Sequence, residues 1–105
     1  MKDGIILLDT KAGKELGFTG DKFWYGSYLW KKDGYIYVSF IQSREKRKKH
    51  LSKLFDTILK GYGIKVPTPS VIMKAILIKK DFERTEECSE GYPENVEVWV
   101  KEKTK

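Results

Sequence analysis

The sequence has only one cysteine and one histidine among its 105 residues. One cysteine excludes an internal disulfide, and a lone histidine excludes a zinc site built from Cys and His ligands. Such low cysteine usage predicts a reducing compartment, and we expect the cytoplasm. No apolar run approaches the ~18 residues of a membrane-spanning helix, and the run at residues 5–8 is too short for a signal-peptide core.

The sequence also lacks repeats, low-complexity stretches and linkers, so its length predicts one domain over residues 1–105. Hydrophobic residues make up 40% and aromatic residues 13%, which is the composition of a globular protein. Charged residues reach 34%, and lysine and arginine leave a net charge of +6. This excess favours a polyanion, a phosphorylated ligand or an acidic protein surface as a partner, without choosing among them.

Short apolar and aromatic runs in the first part of the chain predict three β-strands, at residues 5–8, 22–30 and 35–41. The polar, glycine-containing segment at 10–21 is predicted to be a loop with at most one short helical turn. Asp33-Gly34 is typical of a tight hairpin turn, because both residues tolerate a positive φ. The third strand is apolar on both faces, which predicts a central position in the sheet.

The second part of the chain predicts two helices and three strands. Residues at helical spacing form the apolar stripe of the first helix: Leu51, Leu54, Phe55, Ile58 and Leu59. After a strand at 64–66, Thr68 is predicted to cap a second helix and Pro69 to occupy its first position. The residues predicted to be buried on that helix are Ile72, Met73, Ile76 and Leu77.

Strands at 82–88 and 96–101 complete the predicted order β-β-β-α-β-α-β-β. The strand–helix–strand unit at residues 35–66 is expected to be a right-handed parallel crossover. The predicted fold is therefore α+β, a mixed sheet with two helices packed on it.

This order of elements resembles the GNAT family of acetyl-CoA-dependent N-acetyltransferases over residues 22–101. In that family a strand leads into a loop and helix that hold the cofactor pyrophosphate, and here residues 35–41 and the following segment take those places. The segment Lys79-Lys80-Asp81-Phe82 resembles the family's Lys-x-Gly-Phe junction, with Asp81 where glycine is usual. The resemblance implies a GNAT-like sheet and an N-acetyltransferase with an unknown acceptor amine.

The resemblance also implies an acetyl-CoA site. The end of the third strand would pair with the pantetheine amide, and the basic segment with the helix start would hold the phosphates. The implied cofactor-binding residues are Phe40, Ile41, Gln42, Lys46, Arg47, Lys48, Lys49 and His50.

The signature that holds the pyrophosphate departs from the family pattern. Lys49 and Leu51 stand where the family has small residues, which let phosphate oxygens approach the backbone N–H groups of the helix start. A lysine can instead bind phosphate through its ammonium group, as a point charge. Cofactor binding is therefore an expectation from topology rather than from this motif.

The catalytic and acceptor sites depart from the family as well. Leu77 stands where many members have the tyrosine that protonates the leaving thiolate, and Tyr62 and Tyr92 are the replacements considered. No catalytic residue is assigned. Residues 10–21 are too few for the two helices that line the family's acceptor site, so either the cleft is open or no small-molecule acceptor exists.

These departures keep a second class of function open, a non-catalytic GNAT-fold protein that binds nucleic acid or an acidic protein surface. Basic residues oppose the positive end of a helix dipole, and a bound anion would relieve that mismatch. The residues that would bind it are Arg44, Lys46, Arg47, Lys48 and Lys49. Eight aromatic residues beside the basic segment could form a base-stacking platform: Phe23, Trp24, Tyr25, Tyr28, Trp30, Tyr35, Tyr37 and Phe40. We expect half of them to pack under the helices and half to pair across strands.

Two other groups carry chemically active side chains. His50 and Cys88 lie on different predicted elements without an orienting motif, so we expect no thiol–imidazole pair. The glutamates between residues 83 and 94 are expected to form a solvated hairpin face rather than to supply a general base.

Overall fold

A computed structural model describes residues 3–44, 50–87 and 96–104. Its strands are β1 (Gly4–Leu7), β2 (Tyr28–Lys32), β3 (Tyr35–Phe40), β4 (Gly63–Pro67), β5 (Glu83–Glu87) and β6 (Val96–Lys101). Its helices are α1 (Lys11–Leu16), α2 (His50–Leu59) and α3 (Val71–Lys79).

The strands form one six-stranded mixed sheet in the order β1-β2-β3-β4-β6-β5. Within the described part of the chain, β3 and β4 are the parallel pair, and every other neighbouring pair is antiparallel. The predicted α+β mixed sheet is confirmed. The short helix α1 is a third helix beyond the two predicted, and it begins where the Thr10 hydroxyl accepts a hydrogen bond from the Gly13 N–H at 3.1 Å.

The helices pack on one face of the sheet and share a single core with it. The strands contribute Ile6, Leu29, Ile36, Val38, Ile64 and Val66. The helices contribute Leu16 from α1, Leu54, Phe55, Ile58 and Leu59 from α2, and Leu77 from α3. The apolar stripe predicted for α2 is therefore confirmed, with Leu51 at its start partly buried against the same core. Burial of one side is what stabilises an amphipathic helix in water.

The predicted strand at 22–30 is wrong in its first half. Residues 23–27 form a loop, in which the Ser27 N–H donates to the Trp24 carbonyl at 3.2 Å and Gly26 has a φ of 97°. A left-handed glycine interrupts an extended chain, so β2 begins only at Tyr28. The hairpin turn that follows is as predicted, since Asp33 and Gly34 have φ values of 53° and 82°.

The predicted start of α3 is also wrong. Ser70 caps the helix by accepting from the Met73 N–H at 3.2 Å. Thr68 instead extends the sheet, because its N–H donates to the Glu97 carbonyl at 2.8 Å. Leu77 is buried as predicted, whereas Ile72 in the first helical turn is 69% exposed.

The end of α3 has the same geometry as the end of α1. At α1, the Phe18 N–H donates to the Gly13 carbonyl and Gly17 has a φ of 79°. At α3, the Phe82 N–H donates to the Leu77 carbonyl, and Asp81 has a φ of 62°. Both ends match the Schellman motif, in which a left-handed residue follows the helix. Asp81 thus takes the conformation that favours glycine, at the position where the sequence resemblance expects glycine.

Replacement of Asp81 by glycine is expected to raise the free energy of unfolding by about 0.5–1 kcal/mol. The left-handed conformation costs an L-residue roughly 1–2 kcal/mol, and the greater freedom of glycine in the unfolded chain offsets part of that gain. Urea unfolding measures the change. The reverse variant Gly17→Asp is the control and should lose stability; a gain in Gly17→Asp would contradict the argument.

Candidate functional site

The two parallel strands at the centre of the sheet separate part-way along their length. β3 pairs with β4 at Tyr35↔Gly63, Ile36↔Ile64 and Tyr37↔Lys65, and the pairing stops there. β3 continues to Phe40, whereas the end of β4 pairs only with β6 among the described residues. We call the opening between these two strand ends the β3–β4 gap. Beyond Lys65, the facing edges of β3 and β4 lack the pairing that a continuous parallel ladder would supply.

A β-bulge lies in β3 at the same level. Tyr28 pairs with Phe40 and Trp30 pairs with Tyr37, so two residues of β3 stand opposite Leu29 of β2. A bulge bends its strand and increases its local twist. The strand therefore bends at the point where its pairing with β4 ends.

The segment that follows β3 is hydrogen-bonded to the loop before β2. The Gln42 N–H donates to the Ser27 hydroxyl at 3.0 Å, and the Gln42 carbonyl accepts from the Trp24 N–H at 2.9 Å. Ile41 is partly buried against the core. The resemblance implies that residues 40–42 pair with pantetheine, but the N–H and the carbonyl of Gln42 are already hydrogen-bonded within the protein. Phe40 and Ile41 have the backbone that lies nearer the gap.

Arg44 holds the loop in place rather than standing free as a phosphate ligand. Its guanidinium carbon lies 4.1 Å from the centre of the Trp24 ring and 5.9 Å from that of Tyr25. The side-chain Nε of Arg44 donates to the Gly20 carbonyl, and the backbone N–H of Arg44 donates to the Lys22 carbonyl at 2.8 Å. Stacking of this kind is favourable because the ring faces are electron-rich. Sequence reasoning counted Arg44 as basic but had no signal for this contact.

A small pocket lies beside the first turn of α2. Its lining consists of Leu16, Gly17, Lys22, His50, Lys53, Leu54 and Thr57. His50, one of the implied cofactor residues, is the first residue of α2, and its ring meets that of Phe23 edge-on at 6.4 Å. Lys22 and Lys53 add positive charge where the helix dipole is already positive. Neither was singled out from the sequence, although Lys53 follows His50 by one helical turn.

The remaining basic residues of the implied site are Lys46, Arg47, Lys48 and Lys49, and they lie outside the described residues. Cys88 and Tyr92 lie outside them as well. Tyr62, the other replacement considered for the missing acid, is partly buried against the core under the Lys31 ammonium, 5.6 Å from its ring centre. Among the described residues, therefore, no proton donor predicted from the sequence lies at the gap.

The sheet face opposite the helices carries a second group of polar and aromatic side chains. We call it the open face. On it, the Lys65 ammonium lies 4.5 Å from the centre of the Tyr35 ring and 5.6 Å from that of Tyr37, and 2.7 Å from a Glu87 carboxylate oxygen. Burial alone lowers the pKa of Lys65. The hydrogen bond to Glu87 and the electrostatic attraction of Tyr37 and Glu87 outweigh burial, so the pKa is raised above its ordinary value.

Tyr35 is fixed in place on this face. Its hydroxyl donates to a Glu102 carboxylate oxygen at 2.5 Å, and this hydrogen bond is the largest cause that raises the pKa of Tyr35. The ring lies directly over Gly63, where a Cβ would come within 2.6 Å of two ring atoms. Glycine at this position thus lets Tyr35 lie flat on the sheet beside Lys65.

The predicted distribution of aromatic residues is wrong. We expected half of the eight aromatic residues at positions 23–40 to pack under the helices, but only Phe23 does so among those of the eight whose side chains are described. Trp24 and Tyr25 lie in the loop, 45% and 77% exposed. The others lie on the open face: Tyr28, Trp30, Tyr35 and Tyr37. Alternation in β2 and β3 indicated that the aromatic residues of each strand share a face, but it did not show which face of the sheet the helices would cover.

Two kinds of site are not found in the described residues. No three of their His, Cys, Asp and Glu side chains come together in a way that would hold a metal ion. None of their helices is long and apolar enough to cross a membrane.

Comparison with protein-family models, with curated proteins and with solved structures gives no match for this chain.

Proposed function

We propose that this protein binds acetyl-CoA in the β3–β4 gap and transfers the acetyl group to an amine, as a GNAT-like N-acetyltransferase. The observation that carries the proposal is the end of parallel pairing at Tyr37 and Lys65, while β3 continues for three residues. A pantetheine arm is narrow and contains amides. It can pair with a strand only where a neighbouring strand has moved away.

The charge around α2 supports the same proposal. The gap opens next to the segment that leads from β3 to α2, and the α2 pocket carries Lys22, His50 and Lys53. Phosphate groups are stabilised at a helix N-terminus by the free N–H groups and the dipole together. In this arrangement the gap would hold the pantetheine arm, and the α2 pocket with the preceding basic segment would hold the phosphates.

The chain's own backbone and side chains would act mainly by positioning. Backbone groups at Phe40 and Ile41 would orient the thioester, and the lysines would fix the phosphate end. The acceptor nitrogen then forms a bond to the thioester carbonyl carbon as the C–S bond breaks. The nitrogen loses one proton and the sulfur gains one, and water exchanges these protons where no side chain is placed to do so.

A second candidate is the non-catalytic binding protein of the same fold. It is favoured by Leu77, which is fully buried in the core where a catalytic tyrosine would be needed. A leucine cannot transfer a proton. A polyanion bound through phosphates would show an association constant that falls with salt, by a slope of about −0.7 per contact for a single strand and about −0.9 for duplex DNA.

Titration calorimetry with acetyl-CoA tests the first candidate. We expect binding, and Lys53→Ala should weaken it about two- to fivefold, because one exposed ion pair contributes up to ~1 kcal/mol. Lys60→Ala, which removes an exposed lysine just beyond the opposite end of α2, is the matched control and should bind as the native chain does. No heat at millimolar acetyl-CoA, together with a salt-dependent gel shift of random RNA or DNA, would reject the transferase and favour the second candidate.

A further inference from the structure

One row of side chains crosses the whole sheet at the mouth of the β3–β4 gap. Successive cross-strand partners place Ile5, Trp30, Tyr37, Lys65, Val100 and Glu83 in it, one from each strand. Directly paired residues project to the same face, and their neighbours Leu29, Ile36 and Ile64 face the helices. The row therefore lies on the open face, and its Tyr37–Lys65 step is the last paired step before the strands separate.

The row is accessible from solvent on the side of β1 and β2. Ile5 is 53% and Trp30 45% exposed, and Leu7 on the same face is 50% exposed. Tyr28, Tyr35 and Tyr37 are partly buried. An apolar and aromatic surface thus leads from the outer strand to the gap. Its rings supply flat, electron-rich faces for a ligand with apolar methylene groups and a cationic end.

The open face differs in charge from the rest of this basic chain. Its carboxylates are those of Glu83, Glu87 and Glu102, and its cations are those of Lys32 and Lys65. Among the described residues, carboxylates thus outnumber cations on this face, although the chain as a whole carries a net charge of +6. The basic surface near α2 suits an anionic cofactor, whereas this face suits a cationic ligand.

Lys65 shows how this face holds an alkylammonium group. Its four-carbon arm places the ammonium over two tyrosine rings and against Glu87, a combination of cation–π attraction and charge pairing. Trp30 is the cross-strand partner of Tyr37 and, among the described residues, has no cation over its ring. A second ammonium can therefore lie over Trp30 with its arm along the exposed apolar surface.

We propose that the open face around Trp30, Tyr37 and Glu87 is the acceptor site of the transferase, and that it takes a primary alkylammonium on a flexible methylene chain. Lysine side chains and linear diamines both carry this group. The inference rests on the proposed function, because the row matters as an acceptor site only if an acetyl thioester lies in the gap. A bound ammonium would lose a proton to water before its nitrogen attacks.

Binding is tested first without cofactor, by two-dimensional amide NMR of the native protein. The probes are a short peptide with one lysine, the same peptide with that lysine acetylated, and 1,5-diaminopentane. We expect the two cationic probes to shift resonances of the row residues and the Trp30 indole, and the acetylated peptide to shift none of them. Whichever cationic probe binds more tightly identifies the source of the amine. Equal shifts with the acetylated peptide would overturn the proposal.

Two variants make the test specific. Trp30→Leu should weaken amine binding at least fivefold, whereas Trp24→Leu, which alters an equally exposed tryptophan in the loop, should leave it unchanged. Lys65→Met removes the resident ammonium and leaves its rings and carboxylate vacant, so amine binding should tighten about fivefold. Unchanged or weaker binding by Lys65→Met, in a variant with native amide spectra elsewhere, would contradict cation recognition at this face.

Acetyl transfer separates this inference from the proposed function. With both substrates present, Trp30→Leu and Glu87→Gln should raise KM for the amine about five- to tenfold and leave the dissociation constant for acetyl-CoA unchanged. Amine binding to the row without any acetyl transfer would reject the proposed function and leave an amine-binding face. Acetyl transfer with an unaltered KM in both variants would overturn the acceptor site and leave the transferase.

Discussion

Replacement of Leu54 by alanine is expected to lower the free energy of unfolding by about 2–5 kcal/mol. Leu54 lies in the middle of α2 and is only 2% exposed. The change removes buried methyl and methylene groups and leaves a cavity between the helix and its neighbours, which a close-packed core fills only in part. Urea unfolding followed by far-UV circular dichroism measures the loss.

Two further variants show whether the loss comes from the cavity. Lys53→Ala changes the neighbouring exposed residue and should remain within about 0.5 kcal/mol of the native protein. Leu54→Met nearly conserves the volume and should cost less than about 1.5 kcal/mol. A loss below 1 kcal/mol for Leu54→Ala, in the same range as the lysine control, would show that α2 does not pack on the sheet through this residue.

Replacement of Gly13 by alanine is expected to destabilise the protein by about 1–3 kcal/mol, although helix propensity alone favours alanine by about 1 kcal/mol. A Cβ at Gly13 would come within 2.5 Å of the Leu7 carbonyl oxygen and 3.0 Å of the Phe18 carbonyl oxygen. Both oxygens are held, the first by the Thr10 hydroxyl and the second by the Asp9 N–H. Relief of the clash must therefore break a hydrogen bond or move α1 away from β1.

The sign of the Gly13→Ala effect is what decides this prediction. Lys14 lies next to Gly13 on the exposed side of α1. Lys14→Ala should therefore change the free energy of unfolding by no more than about 0.5 kcal/mol. Thermal unfolding of the two variants under the same conditions compares them. A stabilised Gly13→Ala variant would mean that α1 does not approach β1 as closely as the structure has it, and that propensity alone governs this helix.

The candidate site was predictable in part. The strand end at Phe40 and the helix start at His50 were indicated by the order of elements, because a change from strand to helix periodicity marks that junction. The engagement of Gln42 with Ser27 was not predictable, since the two residues are distant in the sequence and neither belongs to a motif. The stack of Arg44 on Trp24 was missed for the same reason. Whether acetyl-CoA binds there remains the proposal that calorimetry tests.

Local chemistry determined several elements from the sequence alone. The stripe of α2 follows from apolar residues at helical spacing, and Leu54 and Phe55 are buried as this spacing predicts. The turn at Asp33-Gly34 follows from two residues that accept a positive φ. These features depend on neighbours within one or two turns of the chain, so periodicity and turn preferences were sufficient to predict them.

The tertiary structure alone decided which surfaces are covered and where the strands separate. Alternation placed Trp30 and Ile5 on one face of their strands, but the side on which helices pack depends on the path of the whole chain. β3 stops pairing with β4 after Tyr37 and Lys65, whereas β6, on the other edge of β4, continues to pair with Val66 and Pro67. The point at which two strands far apart in sequence stop pairing leaves no local pattern, because hydrogen-bonding groups are the same in every residue except proline.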